Sequence, residues 1–221
     1  SLIECSRVIA PRFPDNFRKR LLRKMKTYQA LIFDCDGTLA DTMPIHYRAW
    51  SRAAEQFGFT LSEDRFYSLG GVPVAKIVEM LLREAGLTED VQRIVDFKEA
   101  AYLESLPHIQ PVEPVLDIAR VYRGQLPLGV ASGSTREMVL RTLGQLGITD
   151  WFDCIVGADD TERHKPEPDC FLEAARRLGV EPTGCCVYED TDTGMEAGRR
   201  AGMDCVDIRD FHTPARTSDA G

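Results

Sequence analysis

Five short apolar runs punctuate the chain: YQALIFD (28–34), LPLGVAS (126–132), FDCIVGA (152–158), CCVYED (185–190) and DCVDI (204–208). Each is too short for a buried helix and rich in Val, Ile, Phe or Cys, so each predicts a strand covered on both faces. Helical patterns separate the later runs. In STREMVLRTLGQLG (134–147), Met138, Leu140, Leu143 and Leu146 recur at near-helical spacing and Gly147 closes the run. Ser134 with Glu137 three residues on predicts a capping box at its start. KPEPDCFLEAARRLGV (165–180) has prolines at its head and Gly179 near its end, and TDTGMEAGRRAG (191–202) is a shorter helix.

Residues 44–110 break this alternation. PIHYRAWSRAAEQFG, VAKIVEMLLREAG and TEDVQRIVDFKEAAYLESL are three helical patterns with no strand between them. Strand–helix alternation predicts a parallel sheet with helices on both faces. The fold class expected is therefore α/β: a Rossmann-like parallel sheet core, residues 27–43 and 111–209, with an inserted helical cap domain, residues 44–110. Residues 1–26 form a basic extension and 210–221 a tail. An insert placed over the strand C-termini serves as a lid that excludes water.

Composition narrows the class. The 221 residues are 43% hydrophobic, enough for a sizeable core, and no run reaches the roughly 20 apolar residues of a membrane span. Seven cysteines, none in C-x-x-C spacing and several inside apolar runs, speak against a disulfide framework or zinc site and for a reducing, cytoplasmic setting. Net charge is -8, but residues 1–26 hold eight Lys or Arg against two acids. That stretch reads either as an amphipathic surface helix or as sequence upstream of a natural start at Met25; the charge shift at Met25 favours the second. The acidic remainder excludes nucleic acid as the main partner. No membrane partner is expected either, and the chain reads as a monomer.

The polar residues gather where such a sheet places chemistry, at strand C-termini. The first strand runs into Asp34 and Asp36, one residue apart and so on the same side of an extended segment, and Gly37 then allows a sharp turn. A close carboxylate pair demands a cation. Oxygen ligands at this density suit Mg2+, which works with substrate phosphates. Glu189 and Asp190 end another strand, Lys165 precedes two prolines in a loop, and Ser132 ends the second strand just ahead of a helix whose free N–H groups suit an anion.

In this order the set resembles the haloacid-dehalogenase-type phosphohydrolase superfamily: DCDGT its first motif, Ser132 its second, Lys165 its third and EDTDTG its fourth, over about residues 27–209. The resemblance implies that Asp34 attacks phosphorus to form an aspartyl-phosphate. Asp36 would protonate the leaving alcohol and then activate water. Ser132, the Gly133 N–H and Lys165 would hold the phosphoryl oxygens. Mg2+ would be bound by Asp34, the Asp36 carbonyl and Asp190, with Glu189 near or in the shell. Aspartate at 36, rather than tyrosine or alanine, favours phosphate esters over haloacids and phosphonates.

The insert resembles the cap of the β-phosphoglucomutase-like branch. Thr42, His46, Arg48 and Trp50 match its start, and Lys98 and Tyr102 a later cap helix. The resemblance implies substrate contacts from Thr42, His46, Gly71, Lys76, Lys98 and Gly133, with His46 and Lys98 coupling cap closure to Asp36. Where the mutases place cations that grip a second phosphate, this chain has Gly70, Val74 and Thr135, for which Lys76 or Arg136 could substitute in part. Together with GGVPVAK and HKPEPDCFL, which look like the fructose-1-phosphate phosphatase type, this favours Mg2+-dependent hydrolysis of a sugar monophosphate. Phosphomutase chemistry and a non-enzymatic phosphate-binding module are the alternatives. Both Asp34 and Asp36 are present, which weighs against the module.

Overall fold

The computed structural model describes residues 28–213 and Arg216. The expectations for the basic stretch and for Met25 therefore lie outside the described residues. The apolar runs form the strands β1 (Ala30–Phe33), β4 (Leu128–Ala131), β5 (Cys154–Val156), β6 (Cys185–Glu189) and β7 (Asp204–Asp207). They make one parallel sheet in the order β5-β4-β1-β6-β7. β1 is central, and all four of its residues are fully buried. Its alternate side chains serve different layers. Leu31 and Phe33 face α5 (Glu113–Tyr122) and α6 (Arg136–Leu146), through Val115, Ile118, Val139 and Leu143. Ala30 and Ile32 face α7 (Asp169–Leu178) and α8 (Asp192–Arg200), through Phe171, Ala174 and Ala197. This double coverage explains why the strands read as unbroken apolar runs rather than alternating ones.

Between β1 and α5 lies a helical unit: α1 (Met43–Phe57), α2 (Glu63–Ser68), α3 (Val74–Ala85) and α4 (Val91–Ser105). It has its own apolar core of Trp50, Phe59, Phe66, Ile77, Leu81 and Ile94. The chain enters and leaves this unit along a short antiparallel ribbon of β2 (Ala40–Asp41) and β3 (Gln110–Pro111). A further cluster, Ile45, Ala49, Ala101, Tyr102 and Met138, joins α1 and α4 to α6.

Three elements differ from expectation. The insert has four helices among the described residues, not three. The fourth, α2, is only six residues and too short to show an apolar period; it is held by Ser62, whose side chain accepts from the Arg65 N–H. α5 was hidden by prolines and by its adjacency to the insert. The capping box at Ser134 does not form: α6 begins at Arg136 with Thr135 as its cap and no side-chain cap bond. Glu137 pairs instead with Arg141 at 2.8 Å, and the Ser134 hydroxyl donates to Asp36 at 2.7 Å.

Candidate active site

From β1 the chain runs outward to β4 and β5 on one side and then crosses back to β6 and β7 on the other, so the sheet's switch point lies between the C-terminal ends of β1 and β6. Asp34 follows β1 immediately and is anchored by its N–H to the Tyr188 carbonyl at 3.0 Å. Gly37 then turns the chain at φ +86°, in the left-handed region. A Cβ there would also come within 2.3 Å of Asp190 Oδ2, so glycine meets both a conformational and a steric need. The turn brings the Thr38 hydroxyl to Asp190 Oδ1 at 3.0 Å.

Lys165, almost wholly buried, donates to Asp34 Oδ1 and to Glu189 Oε1, both at 2.7 Å. One carboxylate oxygen from each of Asp34, Glu189 and Asp190 lies within 4.8 Å of the others. Burial pushes Asp34 up to about 7, with Glu189 adding to the rise and Lys165 opposing it. Burial, then Glu189 and Asp34, drive Asp190 well above the carboxylate range. Burial would lower Lys165, but Asp34 and Glu189 outweigh it and hold its pKa high. Burial and mutual repulsion work against ionising three carboxylates beside one lysine, and a hard divalent cation such as Mg2+ would reverse that, so this donor set fits one.

Asp36 points elsewhere. Its Oδ1 accepts from Thr42 Oγ1 at 2.8 Å and from His46 Nε2 at 3.0 Å, and its Oδ2 from Ser134. Its carboxylate is outside the converging ligand atoms, and the expectation of Asp36 as a ligand concerns its backbone carbonyl. Burial would raise Asp36, but the His46 ring and these hydrogen bonds hold it below the usual carboxylate range. Lys98 Nζ lies 3.0 Å from His46 Nδ1. An ammonium there fixes the tautomer that carries its proton on Nε2, toward Asp36. The His46 ring stacks on Tyr102 with centroids 4.1 Å apart. Burial and the Lys98 charge lower His46, and burial lowers Lys98 to about 8.

A cavity of about 70 Å3 lies between the helical unit and the sheet. Asp34, Asp36, Ser132, Gly133 and Glu189 line it from below, and His46, Lys98 and Gly71 from above. The remaining upper wall is apolar, with Trp50, Phe66, Leu69, Val72, Val74 and Ile77. The two halves touch: the Thr193 hydroxyl donates to the Gly70 carbonyl, and a Cβ on Gly133 would stand 2.7 Å from the Gly71 carbonyl oxygen. Thr42 is buried behind the cavity against Asp36, while Lys76, Arg48 and Arg136 are exposed and outside the lining. Lys76 falls on the outer face of α3 because Ile77 and Val78 take the inner one. Sequence reasoning missed Ser134, whose only signal is a second hydroxyl two residues after Ser132, and the apolar cavity wall.

A buried lysine between carboxylates, a second aspartate held apart by hydrogen bonds, and a hydroxyl at a helix start make a phosphoryl-transfer site. The haloacid dehalogenase-like hydrolase family profile matches residues 31–208, and the chain belongs to that family. It is 37% identical over 183 residues to the fructose-1-phosphate phosphatase YqaB of Escherichia coli, covering 82% of this chain and 97% of that protein. It is 30% identical over 189 residues to the β-phosphoglucomutase of Bacillus subtilis, covering 81% and 83%. The crystal structure of a Clostridium difficile β-phosphoglucomutase superposes with a TM-score of 0.74 at 28% identity, covering 81% and 84%. The protein is thus a phosphatase of the sugar-phosphate phosphatase and phosphomutase type.

Proposed function

We propose that the protein hydrolyses a small sugar monophosphate, a hexose or fructose phosphate, through an aspartyl-phosphate on Asp34. The observation that carries this reading is the cavity itself, with Asp34, Asp36 and Ser132 below and an apolar wall above. In this reading Lys165, which donates to Asp34, and the Ser132 hydroxyl, which lines the cavity, would hold phosphoryl oxygens together with the Gly133 N–H. Asp34 attacks phosphorus as the ester P–O bond breaks, and Asp36 gives its proton to the departing alkoxide. The substrate's negative charge raises the proton affinity of Asp36 as it enters. In the second step Asp36 takes a proton from water, whose oxygen displaces Asp34 from phosphorus. Asp34, Glu189 and Asp190 would hold Mg2+, which supplies charge neutralisation at the phosphoryl group.

Hydrolysis is favoured over mutase chemistry because the wall opposite the aspartates offers Val72, Val74 and Ile77 where a second phosphate would need a cation. Phosphomutase activity remains the second reading, supported by the intact Asp36–His46–Lys98 relay and the mutase relatives. The test is phosphate release from a panel of sugar phosphates, with and without Mg2+, together with a product-resolved time course on β-glucose 1-phosphate. Inorganic phosphate is expected as the product, with activity lost in excess chelator and regained on adding Mg2+. Glucose 6-phosphate accumulating well ahead of phosphate overturns the phosphatase reading.

A further inference from the structure

We propose that Ser134 is the core-side positioning residue for Asp36, fixing the carboxyl plane and accommodating the proton on Oδ2. The inference rests on the reading of Asp36 as the acid and base. Oδ1 of Asp36 is held by Thr42 and His46. Both belong to the segment that begins the cap, Thr42 as the residue preceding α1 and His46 in its first turn. Donors on one oxygen alone leave the carboxyl free to rotate about that anchor. The second oxygen is held by the Ser134 hydroxyl at 2.7 Å.

Ser134 does not depend on the cap for its place. Its N–H donates to Ser132 Oγ at 3.0 Å, and its carbonyl accepts from the Ala158 N–H at 2.8 Å. The same Ser132 hydroxyl lines the cavity and would hold a phosphoryl oxygen in the proposed reaction, so that hydroxyl and the acid are oriented by one short turn. The Ser134 hydroxyl is also not used as a helix cap, although it stands where a capping residue was expected.

The chemistry favours a hydroxyl here. With Lys98 donating to Nδ1, the His46 Nε2–H can only donate, and it pairs with a carboxylate oxygen that carries no proton. A serine hydroxyl donates to the ionised carboxylate and turns to accept from the protonated one. Oδ2 is therefore the oxygen that can carry the transferred proton through both steps.

The test compares kcat/KM for fructose 1-phosphate, whose alkoxide needs a proton, with that for p-nitrophenyl phosphate, whose phenolate leaves without one. This constant reports the steps through leaving-group departure. Ser134→Ala should lower the ratio of the two by about tenfold or more, the loss of a hydrogen bond to a charged group. Ser134→Thr, which keeps the hydroxyl, should stay within about threefold of wild type on the same scale. Equal loss on both esters in Ser134→Ala, or no loss on either, overturns the proposal, as does a Thr variant as impaired as Ala. Asp34→Asn separates the two levels of the argument: it should silence both esters, and if it does not, or if the wild type cleaves neither, the function reading falls and this inference with it.

Discussion

At the scale of single residues, the site is a contest between burial and charge. Asp34 tolerates its place because Lys165 donates to it, and the donor set it forms with Glu189 and Asp190 fits a cation that would complete the neutralisation. Asp34→Asn keeps the shape but removes the proposed nucleophile, so turnover should fall by about 10^3-fold or more with an unchanged far-UV CD spectrum and melting temperature within a few degrees. Lys98 shows the opposite balance, an ammonium buried without a carboxylate in contact, facing His46, Trp50 and Tyr102. Its pKa falls to about 8 from an ordinary 10.5. Between those values the unfolded chain binds more protons than the folded one, so this residue makes stability rise with pH from about 8 to 10.5. Below pH 8 the cost of the buried charge is carried in full. In Lys98→Met that rise disappears, and the gain in unfolding free energy from pH 7 to pH 10, measured by urea titration, should shrink by about 2–3 kcal/mol relative to wild type.

At the scale of elements, the turn after β1 holds two kinds of information in one glycine. Gly37 must adopt φ +86°, and Asp190 fills the space a side chain would take. Gly37→Ala should therefore destabilise by about 1–3 kcal/mol in thermal or urea melts. It should also raise the Mg2+ concentration needed for half-maximal activity, because Asp190 is pushed from its partners Asp34 and Glu189. An unchanged Mg2+ requirement would separate Asp190 from the metal. The α6 start makes the related point that a local pattern can be outbid. Ser134 and Glu137 satisfy the capping-box spacing, yet a hydrogen bond to a half-buried carboxylate is stronger than a neutral cap, and Asp36 takes the serine.

At the scale of the whole molecule, the helical unit is seated on the sheet, and its fit depends on glycines on both sides. The Gly71 carbonyl stands where a Cβ of Gly133 would go, and Gly70 packs on Thr191 and Thr193. Gly133→Ala should hold the two halves apart by a fraction of an ångström while leaving each core intact. The expected result is kcat lowered and KM raised, together about tenfold or more in kcat/KM, with little change in melting temperature. A large stability loss instead would mean that the contact holds the fold together rather than aligning the site. Among the described residues no helix is long and apolar enough to cross a membrane. Cys35, Cys170, Cys185 and Cys186 are buried, as small apolar side chains would be.

The sequence by itself determined the sheet strands, the helical insert and the four motifs, because each is written in a local period or a fixed spacing. Strand burial on both faces leaves an unbroken apolar run, and the chemistry requires Asp34, Glu189 and Asp190 at strand ends with Lys165 in a loop beside them. What only the tertiary structure decided is which groups meet. Asp36 and Ser134 are 98 positions apart, and Lys98 reaches His46 across 52. Nothing in a local pattern records such pairings, since they arise when two helical layers and a lid close on one sheet edge. The same closure turned Lys76 outward and gave the cavity an apolar wall, because a helix has only one inner face and the lid's own core had already claimed its apolar residues.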